Sequence, residues 1–261
     1  MVRVGFIGAG RMGGALLEGF LSKNLLNPAE IRVYDKNPKA ARRFNVTSEY
    51  SAFEVVEKSE AVFLCVKSQD MEDVLDEIRD ISGSRLIISI AAGYSTKRIE
   101  SKLKEARVIR VMPNTPAVIY ELAGAYCLGR RATEEDAVFV GSLLNSIGVA
   151  YRMDERQMDA VTGLSGSGPA YVYYLIDAFT NAGVKEGLSA NASLNLTLQT
   201  FRGAVDMVIT TKKTPTALID EVKSPKGTTA EGLKVFDELK VAKAVEKAVS
   251  AATKRSKELG K

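Results

Sequence analysis

Short, nearly unbroken apolar runs alternate with amphipathic stretches through the first 150 positions of the chain. The runs predict strands over 2–8, 31–35, 61–66, 86–90, 108–112, 125–128 and 149–152. Apolar residues at helical spacing predict helices over 11–22, 37–43, 51–58, 69–81, 96–104 and 133–146. Wholly apolar strands separated by helices are what a parallel sheet buried on both faces requires. The expected fold class for this part is therefore α/β, a doubly wound, mostly parallel sheet extended by its late short strands.

The rhythm changes at Asp154, and no convincing strand follows. Asp154 with Gln157 has the spacing of a capping box. Pro169 stands where a first helical residue belongs, opening a helix to about residue 183. Ser189 opens another to about residue 211, Thr214 with Pro215 reads as a cap and first turn, and Thr228 with Glu231 repeats the capping-box pattern. The last helices reach about residue 259. A boundary is thus expected near residue 153, with an α/β domain over 1–153 and an all-helical domain over 154–261. The helix over 189–211 carries Leu194, Leu196, Leu198, Phe201, Val205, Val208 and Ile209. It is either the centre of the helical core or the face of a subunit interface.

Composition narrows the chemistry. The chain has 261 residues, of which 46% are hydrophobic and 26% charged, as in ordinary globular proteins. No apolar run is long enough for a membrane helix and no signal-peptide layout precedes the first strand, so a cytoplasmic location with no membrane partner is expected. The net charge of +4 suits small anionic ligands. No nucleic-acid motif accompanies it, and no nucleic-acid partner is expected. Cys65 and Cys127 lie in apolar runs without metal-ligand spacing and read as small buried residues; no metal is expected. The chain contains no histidine at all. Triads and dehydrogenase mechanisms that depend on imidazole are excluded. The chemistry is left to Lys, Tyr, Ser, Thr, carboxylates or a cofactor.

The candidate site residues cluster where strands end. The first strand runs into Ile7, Gly8, Ala9, Gly10, Arg11, Met12 and Gly13, a G-x-G-x-x-G loop followed by an amphipathic helix. In that context Gly8 permits the tight turn, Gly10 lets the backbone approach a pyrophosphate, and Gly13 lets the helix pack close. Asp35 closes the second strand, where an acidic residue takes ribose hydroxyls and repels a ribose phosphate; it reads alternatively as a helix cap. Lys36 and Asn37 follow and suit that phosphate. Val66 and Lys67 end another strand, and the small residues Ala91, Ala92 and Gly93 would admit a ribose. Arg110 to Pro116 forms a stiff corner holding Asn114, either at the place of a nicotinamide ring or as a structural turn. In the helical part, Thr162 to Tyr171 gathers glycines and serines, for donors or for close helix packing. Ser224 to Thr229 precedes another helix, with Gly227, Thr228 and Thr229 placed to hold a carboxylate, or with Thr228 simply as a cap.

These motifs, in this order and spacing, make the chain resemble the pyrroline-5-carboxylate reductases over essentially its whole length. The resemblance rests on the glycine loop, Val66-Lys67, Ser89 to Gly93, Arg110 to Ala117, Asp159 to Tyr171 and Ser224 to Thr229. It implies reduction of 1-pyrroline-5-carboxylate to proline by NADH or NADPH, on a Rossmann-type domain followed by a helical dimerisation domain. It also implies a homodimer, with a decamer of five dimers as a further assembly. Carried over by position, Thr229 contacts the ring nitrogen, Ser224, Gly227 and Thr228 bind the carboxylate, and Glu155 matches a position near the cofactor in some members. Three positions depart from the family pattern: Lys226 replaces the first glycine of the carboxylate loop, Ser68 replaces a proline, and Ala52 replaces an asparagine that touches the cofactor phosphate in some members. The last, with Asp35, tilts the expectation modestly toward NADH. A protonated imine accepts hydride without a strong enzyme acid, which fits the missing histidine.

Two other readings stay open. One is a reductase of a related cyclic imine or small carbonyl compound; hydroxyacid dehydrogenases of similar layout would want a catalytic lysine, which Lys185 could offer, but the serine-rich loop at 162–169 speaks against it. The other is a protein that binds NAD(P)H without turnover, for which Lys226 is the motive.

Overall fold

The computed structural model describes residues 3–260. Val2, assigned above to the first strand, lies outside them. The first part runs β1 (Val4–Ile7), α1 (Arg11–Ser22), β2 (Ile31–Tyr34), α2 (Pro38–Arg42), β3 (Thr47–Ser48), α3 (Ala52–Glu57), β4 (Ala61–Leu64), α4 (Met71–Ser82), β5 (Leu86–Ser89), α5 (Thr96–Lys102), β6 (Arg107–Met112), β7 (Leu122–Leu128), α6 (Glu134–Asn145) and β8 (Gly148–Arg152). The strands form one sheet in the order β3-β2-β1-β4-β5-β6-β7-β8. Val4 of β1 pairs in parallel with Ile31 on one side and Ala61 on the other. The chain therefore leaves β1 in one direction and returns to its other side, and the crevice beyond the carboxyl ends of β1 and β4 is the switch point where such sheets bind ligands.

Both faces of the sheet are covered. Leu16, Leu17 and Phe20 of α1 and Val140 and Leu144 of α6 pack on one face with Phe6 and Phe63, whose rings stack at 4.8 Å. Val55 and Val56 of α3, Leu75 and Ile78 of α4 and Ile99 of α5 cover the other. This double burial explains why β1, β4 and β5 are buried at every position and carry no polar side chain except Ser89 at the end of β5.

The structure adds to the expected elements at two places. β3 is only two residues long, too short for a periodic signal. β7 begins at Leu122 rather than 125, because Ala123 and Gly124 dilute its apolar pattern. It runs antiparallel to β6 while every other pair is parallel. The corner joining β6 and β7 is shorter than the dozen residues a parallel crossover takes.

Beyond β8 the chain is helical: α7 (Met158–Val161), α8 (Gly168–Lys185), α9 (Ala190–Thr211), α10 (Pro215–Val222), α11 (Thr228–Glu238) and α12 (Val241–Leu259). The capping signals hold at three starts. Asp154 and Gln157 form a reciprocal box, Ser189 accepts from the Ala192 amide, and Thr214 accepts from Ala217 with Pro215 following. By compactness the chain divides into Met1–Pro169 with Val249–Lys261, and Ala170–Ala248. The rhythm change at 154 marks the end of the sheet, whereas the compact division falls at Pro169.

Ala170–Ala248 has an unusual surface. Phe179 packs edge-on against Phe201 at 5.4 Å and against Phe236 at 6.4 Å, yet among its described residues only Ser193 is buried. Along α9, Leu196, Val205 and Ile209 stand open, Ile209 at 67% exposure. α9 is therefore not a buried core helix of a single chain, and its apolar load calls for a covering surface. Among the described residues no helix is long and apolar enough to cross a membrane.

Candidate active site

The glycine loop connects the buried end of β1 to α1. Gly8 has φ +96°, and a Cβ there would come within 2.7 Å of the Cys65 carbonyl oxygen. A Cβ on Gly13 would collide with the Gly8 carbonyl and meet Cys65 Cβ at 2.7 Å. These two glycines are required by the protein's own packing. Gly10 is different: its φ is −65°, and a Cβ there would meet nothing within 4 Å. The space above Gly10 is open. Gly10 caps α1 without a side-chain bond, and the first turn holds no acidic residue. The amides of Arg11, Met12 and Gly13 therefore keep their donors for a ligand at the positive end of the helix.

Ile7, Gly8, Gly10, Asp35, Lys36, Val66 and Lys67 line one cavity of about 280 Å³ with Tyr34, Gln69 and Asp70. Asp35 braces it from below. The Ala9 amide donates to Asp35 Oδ2 at 2.6 Å and the Asn37 amide to Oδ1 at 2.8 Å. Asp35 is thus not the cap of α2; Asn37 is, accepting from the Lys39 amide. Lys36 Nζ donates to Asp70 Oδ1 at 3.2 Å across the cavity. Asp35 and Lys36 also border a second, polar hollow of about 450 Å³ lined by Arg42, Ser48 and Tyr50. The sequence reading missed these three, because Ser48 lies on the two-residue strand and Arg42 in a basic run that looks like a solvated helix.

The next two strand ends are stitched together, with Ser68 Oγ donating to the Ala92 carbonyl at 2.6 Å. Ala91 is buried. Gly93, with φ +71°, faces the end of the chain, since a Cβ there would meet Leu259 Cβ at 3.0 Å and the Gly260 nitrogen at 3.2 Å. The positive φ and this contact give Gly93 a packing reason of its own. Asn114 is also engaged. Its Oδ1 accepts from the Ala123 amide at 2.9 Å, its Nδ2 donates to the Ser165 carbonyl at 3.1 Å, and it is 6% exposed. The corner residue expected to meet a cofactor thus clamps β7 to the Thr162–Gly166 turn. In that turn the helix widens, the Ser167 amide reaching the Thr162 carbonyl at 2.9 Å, and Gly163 and Gly166 make room for α12 and Met112.

A buried polar network holds this region. Arg110, 4% exposed, donates to Glu155 Oε1 at 2.6 Å. Glu155 Oε2 accepts from the Thr96 amide at 3.1 Å and from its hydroxyl at 2.5 Å, at the start of α5. Ser256 donates to Asp159 at 2.7 Å beside it. Glu155 is therefore a structural partner of Arg110. Burial drives its carboxyl upward, but the hydrogen bonds from Thr96 and Arg110 and the arginine charge outweigh this and hold it below the ordinary carboxylate range. Its stabilising contribution is full above the unfolded value of about 4.3 and is lost as pH falls through the lower folded value. Glu155→Gln should cost about 1–2 kcal/mol at neutral pH, and the difference from wild type should shrink in acid. Denaturant melts across pH check this; an equal loss in acid and at neutrality would contradict it. Burial also pushes both thiols up, Cys127 to about 12, so they remain uncharged packing residues.

The second candidate loop lies at the start of α11. The Gly227 amide donates to the Ser224 carbonyl at 3.0 Å, closing a turn over Ser224 to Gly227. Gly227, not Thr228, is the N-cap of α11, and it carries no side-chain bond. Thr228 is the first helical residue and is exposed, so the capping box expected with Glu231 does not form. Thr229 is half-buried and lines an apolar cavity of about 410 Å³ with Val208, Leu218, Ile219 and Leu233. Its hydroxyl makes no hydrogen bond among the described residues. The loop thus offers first-turn amides and an exposed threonine, with a second, half-buried threonine on the rim of an apolar cavity. Lys226 holds φ +59° at the third turn position, where glycine is favoured. Lys226→Gly should stabilise the fold by about 1 kcal/mol by relieving that conformation. A thermal melt that moves downward instead would show that the lysine side chain contributes more than its backbone costs.

Comparison with known proteins adds the following. A family model described as pyrroline-5-carboxylate reductase dimerisation matches residues 155–259, and one described as NADP oxidoreductase, coenzyme F420-dependent, matches residues 3–93. A pyrroline-5-carboxylate reductase of Glycine max is 41% identical, covering 98% of this chain and 95% of its own. One of Methanosarcina acetivorans is 38% identical, covering 99% and 98%. The crystal structure of the Plasmodium falciparum pyrroline carboxylate reductase with NADP bound superposes with a TM-score of 0.93 at 34% identity, covering 100% of this chain and 98% of that one.

Proposed function

The chain belongs to the pyrroline-5-carboxylate reductase family, and we infer that it reduces 1-pyrroline-5-carboxylate to L-proline with NADH or NADPH, the last step of proline biosynthesis. The observation that carries this is one chain holding both an open glycine-loop cleft and a threonine hydroxyl beside uncapped helix amides. The residues fit a dinucleotide: open space over Gly10, free amides at the start of α1, and no acidic side chain in that turn. Gly8 to Gly13, Asp35, Lys36, Val66 and Lys67 would hold it. When bound, it supplies the hydride that the imine carbon accepts.

The chain's own residues bind and orient. Ser224, Gly227 and the amides of Thr228 and Thr229 take the substrate carboxylate, at the helix end that favours an anion. The Thr229 hydroxyl accepts from the protonated ring nitrogen, whose positive charge raises the electrophilicity of the adjacent carbon. The apolar wall around Thr229 keeps water off that hydrogen bond. Since the imine nitrogen is basic enough to arrive protonated, no strong protein acid is needed, in keeping with a chain without histidine.

The helical region of 154–261 serves as the dimerisation and substrate domain. The protein assembles as a dimer, which covers the apolar length of α9. Five such dimers in a decamer, a cytoplasmic location and the absence of nucleic-acid partners complete the proposal.

Asp35 gives a modest preference for NADH, blurred by Lys36 and Arg42 on the neighbouring hollow. Asp35→Ser should raise the ratio of NADPH to NADH efficiency roughly 5-fold, the worth of one like-charge contact near water. Both absolute efficiencies should fall, because the Ala9 amide loses its carboxylate. A ratio that stays constant in steady-state kinetics would make Asp35 a brace alone.

A panel of cyclic imines tests the reaction. Cofactor oxidation should be fastest with 1-pyrroline-5-carboxylate and much slower with 1-pyrroline, which lacks the carboxylate. Equal rates would favour a general imine reductase, and binding without oxidation would favour a nucleotide-binding protein.

A further inference from the structure

We propose that Arg43 positions the glycine loop for dinucleotide binding by lying across Gly14 and donating to the Gly10 carbonyl. The inference rests on the reading of that loop as the cofactor site and adds a residue outside its motif. Arg43 directly follows α2, far from the loop in sequence. Its Nη2 reaches the Gly10 carbonyl oxygen at 3.2 Å, and the same oxygen accepts the Gly14 amide at 2.9 Å. The guanidinium lies over the Phe44 ring, 4.6 Å from its centroid, which holds the fork flat. A Cβ on residue 14 would occupy the position of that guanidinium. Gly14 is not part of G-x-G-x-x-G, and the groove it leaves for Arg43 is a physical reason for it.

The Gly10 carbonyl and the Arg11 amide belong to one planar peptide and point in opposite directions. Fixing the carbonyl therefore fixes the amide, and a charged donor on the carbonyl polarises that amide as a donor. Among the described residues Arg43 forms no ion pair. Its charge is thus left to a loop whose expected ligand is an anionic pyrophosphate.

The test measures NADH and NADPH dissociation constants by fluorescence titration, with thermal melts alongside, for wild type, Arg43→Ala, Gly14→Ala and the double variant. Arg43→Ala should weaken both cofactors by about 5- to 10-fold, as expected for one exposed charge-assisted bond, with KM for the imine unchanged. Gly14→Ala should weaken them similarly, because its Cβ displaces the guanidinium, while the helix preference for alanine offsets the 3.1 Å contact with the Phe44 ring and keeps the variant folded. The double variant should bind no worse than either single one, because both remove the same contact. If wild type binds neither cofactor, the reading of the loop fails and the inference with it. If wild type binds and Arg43→Ala binds equally well, or the two losses add, the positioning role alone is overturned. A loss confined to NADPH would overturn it too, placing Arg43 at a ribose phosphate instead. Should Arg43→Ala not fold, Gly14→Ala decides: unchanged binding in that variant contradicts the inference.

Discussion

Gly10→Val should yield a folded protein that no longer binds NADH or NADPH measurably. The backbone at Gly10 already has a negative φ, and a Cβ there meets nothing within 4 Å, so valine costs the fold no clash and only the small N-cap preference for glycine. The same open space is where phosphates would approach the amides of Arg11 to Gly13. Branched methyl groups would fill it and cover those donors. Losing close approach to two charged phosphate groups should weaken binding by at least about 100-fold, or about 2.7 kcal/mol. Fluorescence titration of the two cofactors, with circular dichroism to confirm folding, makes the check. Near-native affinity in a folded variant would move the phosphates away from this loop. Gly8→Val makes the contrast: at φ +96° and against the Cys65 carbonyl, it should damage the fold itself.

Thr229→Ala should lower kcat/KM for the imine by roughly 10- to 150-fold while cofactor affinity hardly changes. A lost hydrogen bond to a charged group is worth about 1.5–3 kcal/mol, and that is the rate penalty it converts to. The position supports a value within this range, because Thr229 is half-buried beside a cavity lined by Val208, Leu218 and Leu233 and its hydroxyl has no competing partner among the described residues. Thr228→Ala is the control. Thr228 is an exposed first helical residue rather than the cap, so its removal should change stability little, and the backbone amides would still hold the carboxylate. Steady-state kinetics in which Thr228 dominates and Thr229 is silent would shift the loop's assignment by one residue.

The α/β architecture was legible because double burial leaves an apolar run that no exposed segment imitates; β1, β4 and β5 show it. β3 was not, since two residues carry no period, and with it went Ser48 on the hollow beside Asp35. The glycine loop could be read as a motif, but the separate duties of its glycines could not. Only the neighbours of each Cβ distinguish Gly10, facing open space, from Gly8 and Gly13, facing Cys65. Asn114 and Gly93 show a common ambiguity. A polar or small residue at a strand end suits a ligand and suits the protein's own chain equally well. Here Ala123 and Ser165 bond to Asn114, and the Leu259–Gly260 end lies against Gly93. Thr228 looked like a cap because the spacing to Glu231 is right, yet the turn closed by Gly227 begins the helix one residue earlier. Long-range pairings such as Arg110 with Glu155 leave no trace in local pattern at all.

The central claim is direct hydride delivery to an imine carbon held by this chain, and isotope transfer tests it most directly. The purified protein is given 1-pyrroline-5-carboxylate with NADH or NADPH carrying deuterium at the transferable position, and the product is examined by mass spectrometry and NMR. The account predicts L-proline containing one deuterium, placed on the ring carbon of the former C=N bond, in step with the cofactor oxidised. Proline without the label, label at another carbon, or no proline from a folded, cofactor-binding sample would contradict it.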